Sequence, residues 1–596
     1  MKQLLLLKPY FLKYKYRLLL GLFTMTISNV FSSSIPKFIG NAIDIIKKAF
    51  DTNITGNHID ILTQQEVTDS LLKIVYIIVL LAIGSGIFSF FTRQCIIVVS
   101  RFVEYDLRKD FNDHIATLPM DYFTKTPTGD IMALATNDIP QLREIAGPAI
   151  MYTVNTFTTI LFSLFLMLNL SVKVTAFALI PLPIVSYLVY RFGKKIHELS
   201  RKTKEQFANI TSFAQEDISG VRVIRAYNRE KHSSKVFNKM SLEYKNRNLD
   251  LVKVDAAMQP IMISLIGVSQ VMVLLIGGYE AINKNITLGQ LAQFFSYINQ
   301  LIWPVISIGW ISNMFQRAIA SIIRIKTILD TKSEDSSEKE VVDFSSDKVS
   351  IEFKNVSFKY LENLPLVLKN VSFKVESGDT LAIIGSTGSG KSSITNLIGK
   401  LYETTNGDIL LNGISIKDIS YKQVRELIGT VTQETFLFSD TVEGNIRFGS
   451  NTSTLNDVKN AAEIAQLNVD IRSFPNGFDT IVGERGITLS GGQKQRTSIA
   501  RAILRNPKII ILDDALSAVD TQTEENILTR LKTIMKDKTT ILISHRISTV
   551  KDADNIIVLD SGEIIETGTH NELLSLKGKY NEIYELQILE DELSNM

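Results

Sequence analysis

The sequence predicts two joined bodies: a membrane α-helical domain of six transmembrane helices with long cytoplasmic extensions over residues 1–330, and a soluble α/β domain over 349–590, with a linker at 331–348. Three observations predict it. Apolar stretches long enough to cross a bilayer are confined to the first half. Strand-like aliphatic runs alternate with helical segments in the second. "GSTGSGKSS", 385–393, joins one such strand to one such helix. At 596 residues the chain is also too long for one domain.

The composition agrees. A hydrophobic fraction of 45% and a mean hydropathy of +0.13 coexist with 21% charged residues, as expected when an apolar part is joined to a polar one. The net charge of +2 gives no footprint for nucleic acid, and none is expected as a partner. Cys95 is the single cysteine, which excludes an internal disulfide and a cysteine metal site. The basic start, "MKQLLLLKPYFLKYKYRLLL", has no small-residue cleavage site after a single apolar run and reads as a retained membrane-proximal segment.

A membrane-spanning helix needs about 20 apolar residues. Such stretches fall at 17–42, 72–98, 148–170, 173–194, 257–281 and 290–316. Six spans put both termini on one side. Lys2, Lys8, Lys13, Lys15 and Arg17 precede the first span, and the connections at 99–147 and 195–256 are rich in Lys and Arg, which places them in the cytoplasm. The acidic loop "DTNITGNHIDILTQQEVTDS" fits outside.

Both cytoplasmic connections are too long to be structureless. Val103, Leu107, Phe111, Ile115 and Leu118 recur at helical spacing, as do Ile196, Leu199, Phe207, Ile210 and Ala214. The membrane helices are therefore expected to continue into the cytosol, turn at "LPMDYFTKTPTGD" and "EDISGVRV", and return. A coiled-coil spacer is the alternative.

In the second half, "TLAIIGS", "KIIILDD", "TTILISH" and "NIIVLDSG" read as strands of a largely parallel sheet. The glycine-rich loop fits G-x-x-x-x-G-K-[ST] with Gly385, Gly390, Lys391 and Ser392. Its backbone N–H groups approach phosphates closely, Lys391 reaches the β- and γ-phosphates, and the Ser392 hydroxyl can ligate Mg²⁺. Asp513 ends the strand Ile509–Leu512, where a carboxylate can hold the hydrated metal. "LSGGQKQR", 489–496, opens a helix whose first N–H groups form an anion site.

Together "GSTGSGKSS", "LSGGQ", "ILDD…SAVD" and "ISHR" resemble the ATP-binding cassette (ABC) family, in the family's order. The resemblance implies a P-loop NTPase domain of the ABC type with ATP and Mg²⁺ as cofactors. It assigns the loop residues Ser386, Thr387, Gly388, Ser389 and Ser393 to nucleotide binding beside those already named, and Ser490, Gly491, Gly492 and Gln493 to the signature. Tyr360 in "FKNVSFKY" is similar to the aromatic that stacks on adenine, with a core strand aromatic as the alternative. Gln433 in "VTQETFLFSD" is similar to the glutamine that contacts Mg²⁺, "SAVD" at 517–520 to the loop crossing between cassettes, and His545 to the histidine that contacts the γ-phosphate. "VGERG", 482–486, is similar to the segment that exporters place beside a partner's arms. "RKDFNDHIATLPMDYF…TGDIMALATND" and "EDISGVRVIRAYNRE" resemble the cytoplasmic loops of exporters with fused membrane and nucleotide domains, so the likeness covers nearly the whole chain.

Where the family's competent sites carry glutamate to polarise the attacking water, this chain has Asp514. Loss of one methylene withdraws the carboxylate by about 1–1.5 Å, and misplacement of that order costs roughly 10²-fold in rate. The resemblance is therefore to the degenerate half of heterodimeric bacterial multidrug exporters, whose partner bears the glutamate. The expected function is ATP-driven export of hydrophobic or amphiphilic compounds across the cell membrane, with membrane lipid as surroundings and both termini cytoplasmic. Alternatives are a slow homodimeric exporter of lipid or peptide, and an ATP-gated, channel-like subunit. Enrichment in Lys, Asn and Ile fits an AT-rich bacterial genome.

Trp303 and Trp310, the two tryptophans, lie seven residues apart in the sixth span, with Asn299 and Asn313 on the same stripe. This stripe, with Asn299, Trp303 and Trp310 as candidate contacts, is expected to line a cavity for hydrophobic small-molecule cargo. A face against lipid is the alternative.

Overall fold

The computed structural model describes residues 2–54, 61–334, 342–344, 348–450, 452–483, 486 and 488–594. The chain forms two compact units, one of Met1–Ile115 and Gly129–Thr331, the other of Ala116–Thr128 and Lys332–Met596. The expected linker at 331–348 lies partly outside the described residues, as does the middle of the loop after the first span.

The first unit is helical: α1 Lys15–Ile54, α2 Ile61–Ile115, α3 Ile150–Leu170, α4 Val172–Leu179, α5 Pro181–Ser219, α6 Glu230–Met272 and α7 Leu288–Leu329. Among the described residues, five stretches are helical, long and apolar enough to cross a membrane: Lys15–Asp51, Gln65–Ile115, Thr128–Leu170, Glu230–Ile282 and Leu288–Leu329. The expected span at 173–194 is helical as well, carried by α4 and the start of α5 in succession, with a break at Ile180 because Pro181 lacks a backbone donor and opens a new helix at its first position.

Close packing of α1 on α2 relies on small residues, as lipid leaves no hydrophobic drive between helices. Gly21 lies against Cys95 and Ile96 with no room for a side chain. The hydroxyl pairs Thr24–Thr92 (3.0 Å) and Ser28–Ser85 (3.1 Å) continue the seam. Asn29 donates to Thr158 (2.6 Å), tying α1 to α3, and Thr156 meets Ser307 (2.7 Å), tying α3 to α7.

The helices run beyond their apolar stretches, as expected. At about 1.5 Å per residue, the 55 residues of α2 extend roughly 80 Å. Val103, Leu107 and Phe111 form its buried stripe. Helix α5 runs out and α6 returns beside it: Gln206 Nε2 donates to the Met240 carbonyl (3.2 Å) and Arg247 Nη1 to that of Lys202 (3.1 Å). The turn falls at Gly220, within "EDISGVRV". The periodic face of α5 is less covered than that of α2; Phe207 stays exposed.

The second unit holds two sheets. An antiparallel sheet has the order β2-β1-β4-β5, from β1 Ile351–Phe358, β2 Leu368–Val375, β4 Asn406–Leu411 and β5 Ile414–Ser415. The larger sheet has the order β10-β9-β3-β8-β7-β6, from β3 Thr380–Gly385, β6 Ile428–Val431, β7 Ile509–Asp513, β8 Thr539–Ile543, β9 Asn555–Asp560 and β10 Glu563–Gly568. It is parallel from β9 to β6, with β10 antiparallel at one edge. Alternate residues enter opposite cores: Ala382, Ile384, Ile510 and Leu512 one, Leu381, Ile383, Ile509 and Ile511 the other. Burial on both faces explains why these strands read as unbroken aliphatic runs. The turn "LPMDYFTKTPTGD" belongs to this unit as the short helix Met120–Lys125, and its Thr124 hydroxyl lies 2.9 Å from that of Tyr402.

Candidate nucleotide-binding site

Neighbouring parallel strands bring their C-terminal ends together, where ligands bind in open α/β sheets. Strand β3 delivers the glycine-rich loop, β7 delivers Asp513 and Asp514, and β8, lying between them, leads to His545. Three segments far apart in sequence thereby meet.

The loop turns from β3 into α8, Lys391–Ile398. Gly390 has φ +103°, a left-handed conformation at the helix start that favours glycine. Gly385 packs against the Leu559 carbonyl, its ladder partner on β9, so closely that a Cβ would lie 2.0 Å from that oxygen. Lys391 is buried, and its Nζ donates to the carbonyls of Gly385 and Ser386, both at 2.9 Å. Burial lowers the pKa of this ammonium, against the opposing pull of Asp514 and Asp513. Ser386 donates to Asp560 (3.1 Å), bracing the loop from behind.

A cavity of about 270 Å³ opens on this loop, lined by Tyr360, Thr387, Gly388, Gly390, Lys391, Ser392, Ser393, Gln433, Asp514 and His545 among others. Gly385, Ser386, Ser389 and Asp513 do not line it. Asp513 stands behind, buried, its Oδ1 without a hydrogen-bond partner. Burial pushes its carboxyl up, opposed by the Ser392 hydroxyl and reinforced by Asp514. An orphaned, buried carboxylate oxygen next to a serine hydroxyl fits a hard divalent cation that takes oxygen ligands.

Asp514, Gln433 and His545 converge. Asp514 Oδ2 is 3.4 Å from Gln433 Nε2 and 3.4 Å from His545 Nε2. Asp514 is buried and adopts φ +48°, a strained conformation for a residue with a Cβ. Its N–H, donating to the Ile543 carbonyl at 2.9 Å, helps to hold it there.

Tyr360 closes the other end. Its hydroxyl lies 2.9 Å from Ser393 Oγ, and its ring meets Phe358 (4.8 Å) and Tyr402 (5.1 Å) edge to face. Stacking of a base on an aromatic ring is worth about 1–3 kcal/mol, so Tyr360→Ala is expected to weaken ATP binding by about tenfold or more, read by titration of a fluorescent ATP analogue.

Signature residues Ser490, Gly491, Gly492 and Gln493 do not line this cavity. They begin α9, Gly491–Leu504, where Ser490 and Gln493 form a reciprocal capping box. Gln493 Nε2 donates to Asp470 (3.0 Å), which Arg496 also holds (2.8 Å). Within "VGERG", Glu484 and Arg485 lie outside the described residues.

Gln495 escaped sequence reading. Buried on α9, it donates to the carbonyl of Asp514 (3.2 Å) and the hydroxyl of Ser517 (2.9 Å), and accepts from the N–H of Ala518 (2.9 Å). It is the clamp between the signature helix and the segment after Asp514. Its signal was faint: an amide two residues beyond Gln493, on a helix face that only packing identifies. Gln495→Ala is expected to leave ATP affinity within about twofold and lower phosphate release by about tenfold, since it moves a catalytic carbonyl segment without touching nucleotide.

The family described as "ABC transporter transmembrane region" matches residues 18–305, and that described as "ABC transporter" matches 368–517. A probable multidrug resistance ABC transporter ATP-binding/permease protein of Bacillus subtilis, YheI, is 36% identical over 98% of this chain and 96% of its own length. The chain belongs to the ABC transporter family. It is also similar to the multidrug resistance-like ATP-binding protein MdlA of Buchnera aphidicola (33% identical, 99% of each chain) and to an ATP-dependent lipid A-core flippase of Syntrophus aciditrophicus (34%, 87% of this chain and 86% of the relative). A solved bacterial Atm1-family ABC exporter with ATP bound shares the fold, with TM-score 0.77 at 23% identity over 98% of this chain and 99% of the other. The chain is thus an ABC transporter of the exporter fold with membrane and nucleotide-binding parts fused, a multi-pass membrane protein whose ATPase drives transport.

Proposed function

We propose that this ABC transporter is one half of a heterodimeric exporter of hydrophobic or amphiphilic compounds, binding ATP well at its own phosphate loop and hydrolysing it slowly there. The observation that carries this reading is the short Asp514 carboxylate, 3.4 Å from both Gln433 and His545. That distance exceeds the usual hydrogen-bonding range of about 2.7–3.2 Å. Lys391 and Ser392 bind phosphates without calling on it. Mg²⁺ would be held by Ser392, Gln433 and Asp513, supplying positive charge to the β- and γ-phosphates. His545 would contact the γ-phosphate, and Asp514 would be the weak orienter of water.

The signature of Ser490 to Gln493 lies outside this cavity, which supports its serving the partner's nucleotide. A partner with glutamate after its strand-terminal aspartate then hydrolyses ATP at the site this chain completes. The relatives named for multidrug resistance support the cargo class, and the one named a lipid A-core flippase supports an amphiphile. Bacterial cell membrane and cytoplasmic termini complete the reading.

The test is phosphate release by the purified chain alone and mixed with a glutamate-bearing half. The pair is expected to hydrolyse ATP at least about tenfold faster than the chain alone, and to move dye uphill in inverted vesicles. Vigorous ATPase from the chain alone, unchanged by Asp514→Asn, would replace the heterodimer with a self-associating pump. Flow in the downhill direction alone would indicate a gated channel.

A further inference from the structure

Helices α5 and α7 border a partly open cavity of about 370 Å³ that contains none of the proposed cargo contacts Asn299, Trp303 and Trp310. Those residues sit on the face of α7 turned away from its packed side. Asn299 accepts from Gln270 (3.0 Å), Trp310 lies 4.8 Å from the Tyr152 ring, and both tryptophans are exposed. The volume lies within the range of small-molecule pockets, about 300–1,000 Å³.

Its walls divide by chemistry. Tyr190, Val305 and Ile308 supply an apolar side, and Lys194, His197 and Asn313 a polar one. Lys194 and His197 are three residues apart on α5 and so share a face. Neither they nor Asn313 makes a hydrogen bond or ion pair with any described residue. No carboxylate lines the space. Glu198, next along α5, is taken up by Lys202 (2.9 Å) and Lys195 (3.4 Å). Gly193 also lines the cavity, and a Cβ there would meet nothing within 4 Å, so a larger side chain at this position has room to enter the space.

The geometry points to a subsite for an anionic amphiphile: a single-chain molecule whose acidic headgroup pairs with Lys194 and His197, and whose tail lies along Tyr190, Val305 and Ile308. This rests on the export reading and narrows its cargo. An unpaired ammonium and an imidazole with no neighbouring acid create a positive local potential, and charge-assisted hydrogen bonds to an oxyanion are the strong ones.

Three probes test it on the full chain in zwitterionic nanodiscs, without ATP: a dansyl-labelled undecanesulfonate, the uncharged sulfonamide of the same chain, and dansyltaurine, which keeps the anion and lacks the tail. The sulfonate is expected to bind about tenfold tighter than either of the others, relative to empty discs. The double substitution Lys194→Gln, His197→Gln should reduce the sulfonate to the level of the sulfonamide and leave the sulfonamide unchanged. Gly193→Leu, which fills the space, should weaken both long-chain probes. Equal binding of sulfonate and sulfonamide, or a preference that survives the double substitution, overturns the proposal; dansyltaurine binding as tightly as the long sulfonate overturns it in favour of a small-anion site. Failure of export itself appears separately, as loss of ATP-driven dye movement in the assembled pair.

Discussion

Asp514→Glu raises hydrolysis at this chain's own phosphate loop by roughly 100-fold, the reverse of the loss expected from an Å-scale misplacement of a catalytic group. The added methylene carries the carboxylate about 1–1.5 Å further from the backbone, into the cavity that Lys391, Gln433 and His545 also line. The present carboxylate already points toward the amide and imidazole and stops 3.4 Å from each. On the proposed reading, reach and not the choice of partners limits this site. The left-handed backbone at residue 514 suits Asp better than Glu, so the exchange adds a modest backbone penalty that lowers stability rather than reach. The measurement is steady-state phosphate release from the assembled pair, with the partner's glutamate changed to glutamine so that one site turns over. Asp514→Asn provides the baseline. A rate for Asp514→Glu equal to that baseline would mean that something other than reach limits this site.

Gly385→Ala destabilises the nucleotide-binding unit by about 3 kcal/mol or more and removes ATP binding, because overpacking here meets backbone that cannot yield. The new Cβ would lie 2.0 Å from the Leu559 carbonyl and 3.0 Å from Ser389 Oγ. Leu559 is the β-ladder partner of Gly385, so moving it breaks the edge of the parallel sheet and shifts the loop whose carbonyls hold Lys391. At about 2–4 °C per kcal/mol for a unit of this size, the unfolding transition should fall by roughly 6–12 °C in differential scanning fluorimetry of the full chain. Gly388→Ala is the comparison: unlike Gly385 it has positive φ, at +81°, and nothing lies within 4 Å of its Cβ. It should cost about 1–2 kcal/mol, the left-handed penalty alone. A shift for Gly385→Ala no larger than that for Gly388→Ala would show that the backbone at Leu559 yields and that this contact does not set the requirement at 385.

Most of the nucleotide site was legible because each motif is local. A strand, its terminal residue and the following turn are contiguous, so "TLAIIGSTGSGK" and "IILDD" announce both the chemistry and the end of the sheet on which it sits. Parallel pairing then places such ends side by side. Gln495 was not legible in this way, because its partners are carbonyl, hydroxyl and N–H groups of a segment some 20 residues away. The membrane half shows the same division. Helical periodicity revealed the extensions and their turning points, while the break at Ile180, where Pro181 opens α5 inside the fourth apolar stretch, appeared only in the structure.

By itself the sequence determined the two-part architecture, the phosphate loop and the departure at Asp514, since each follows from residue type at short range. Tertiary structure alone decided which side chains complete the catalytic cluster, how α1 seats on α2, and where α5 and α7 leave a charged hollow. Those outcomes depend on which face of a helix meets which neighbour, and a periodic pattern specifies a face without naming its partner. Hence the tryptophan stripe was visible in the sequence, whereas Lys194 and His197 stood out once the structure showed that, among the described residues, no carboxylate lines the cavity they share.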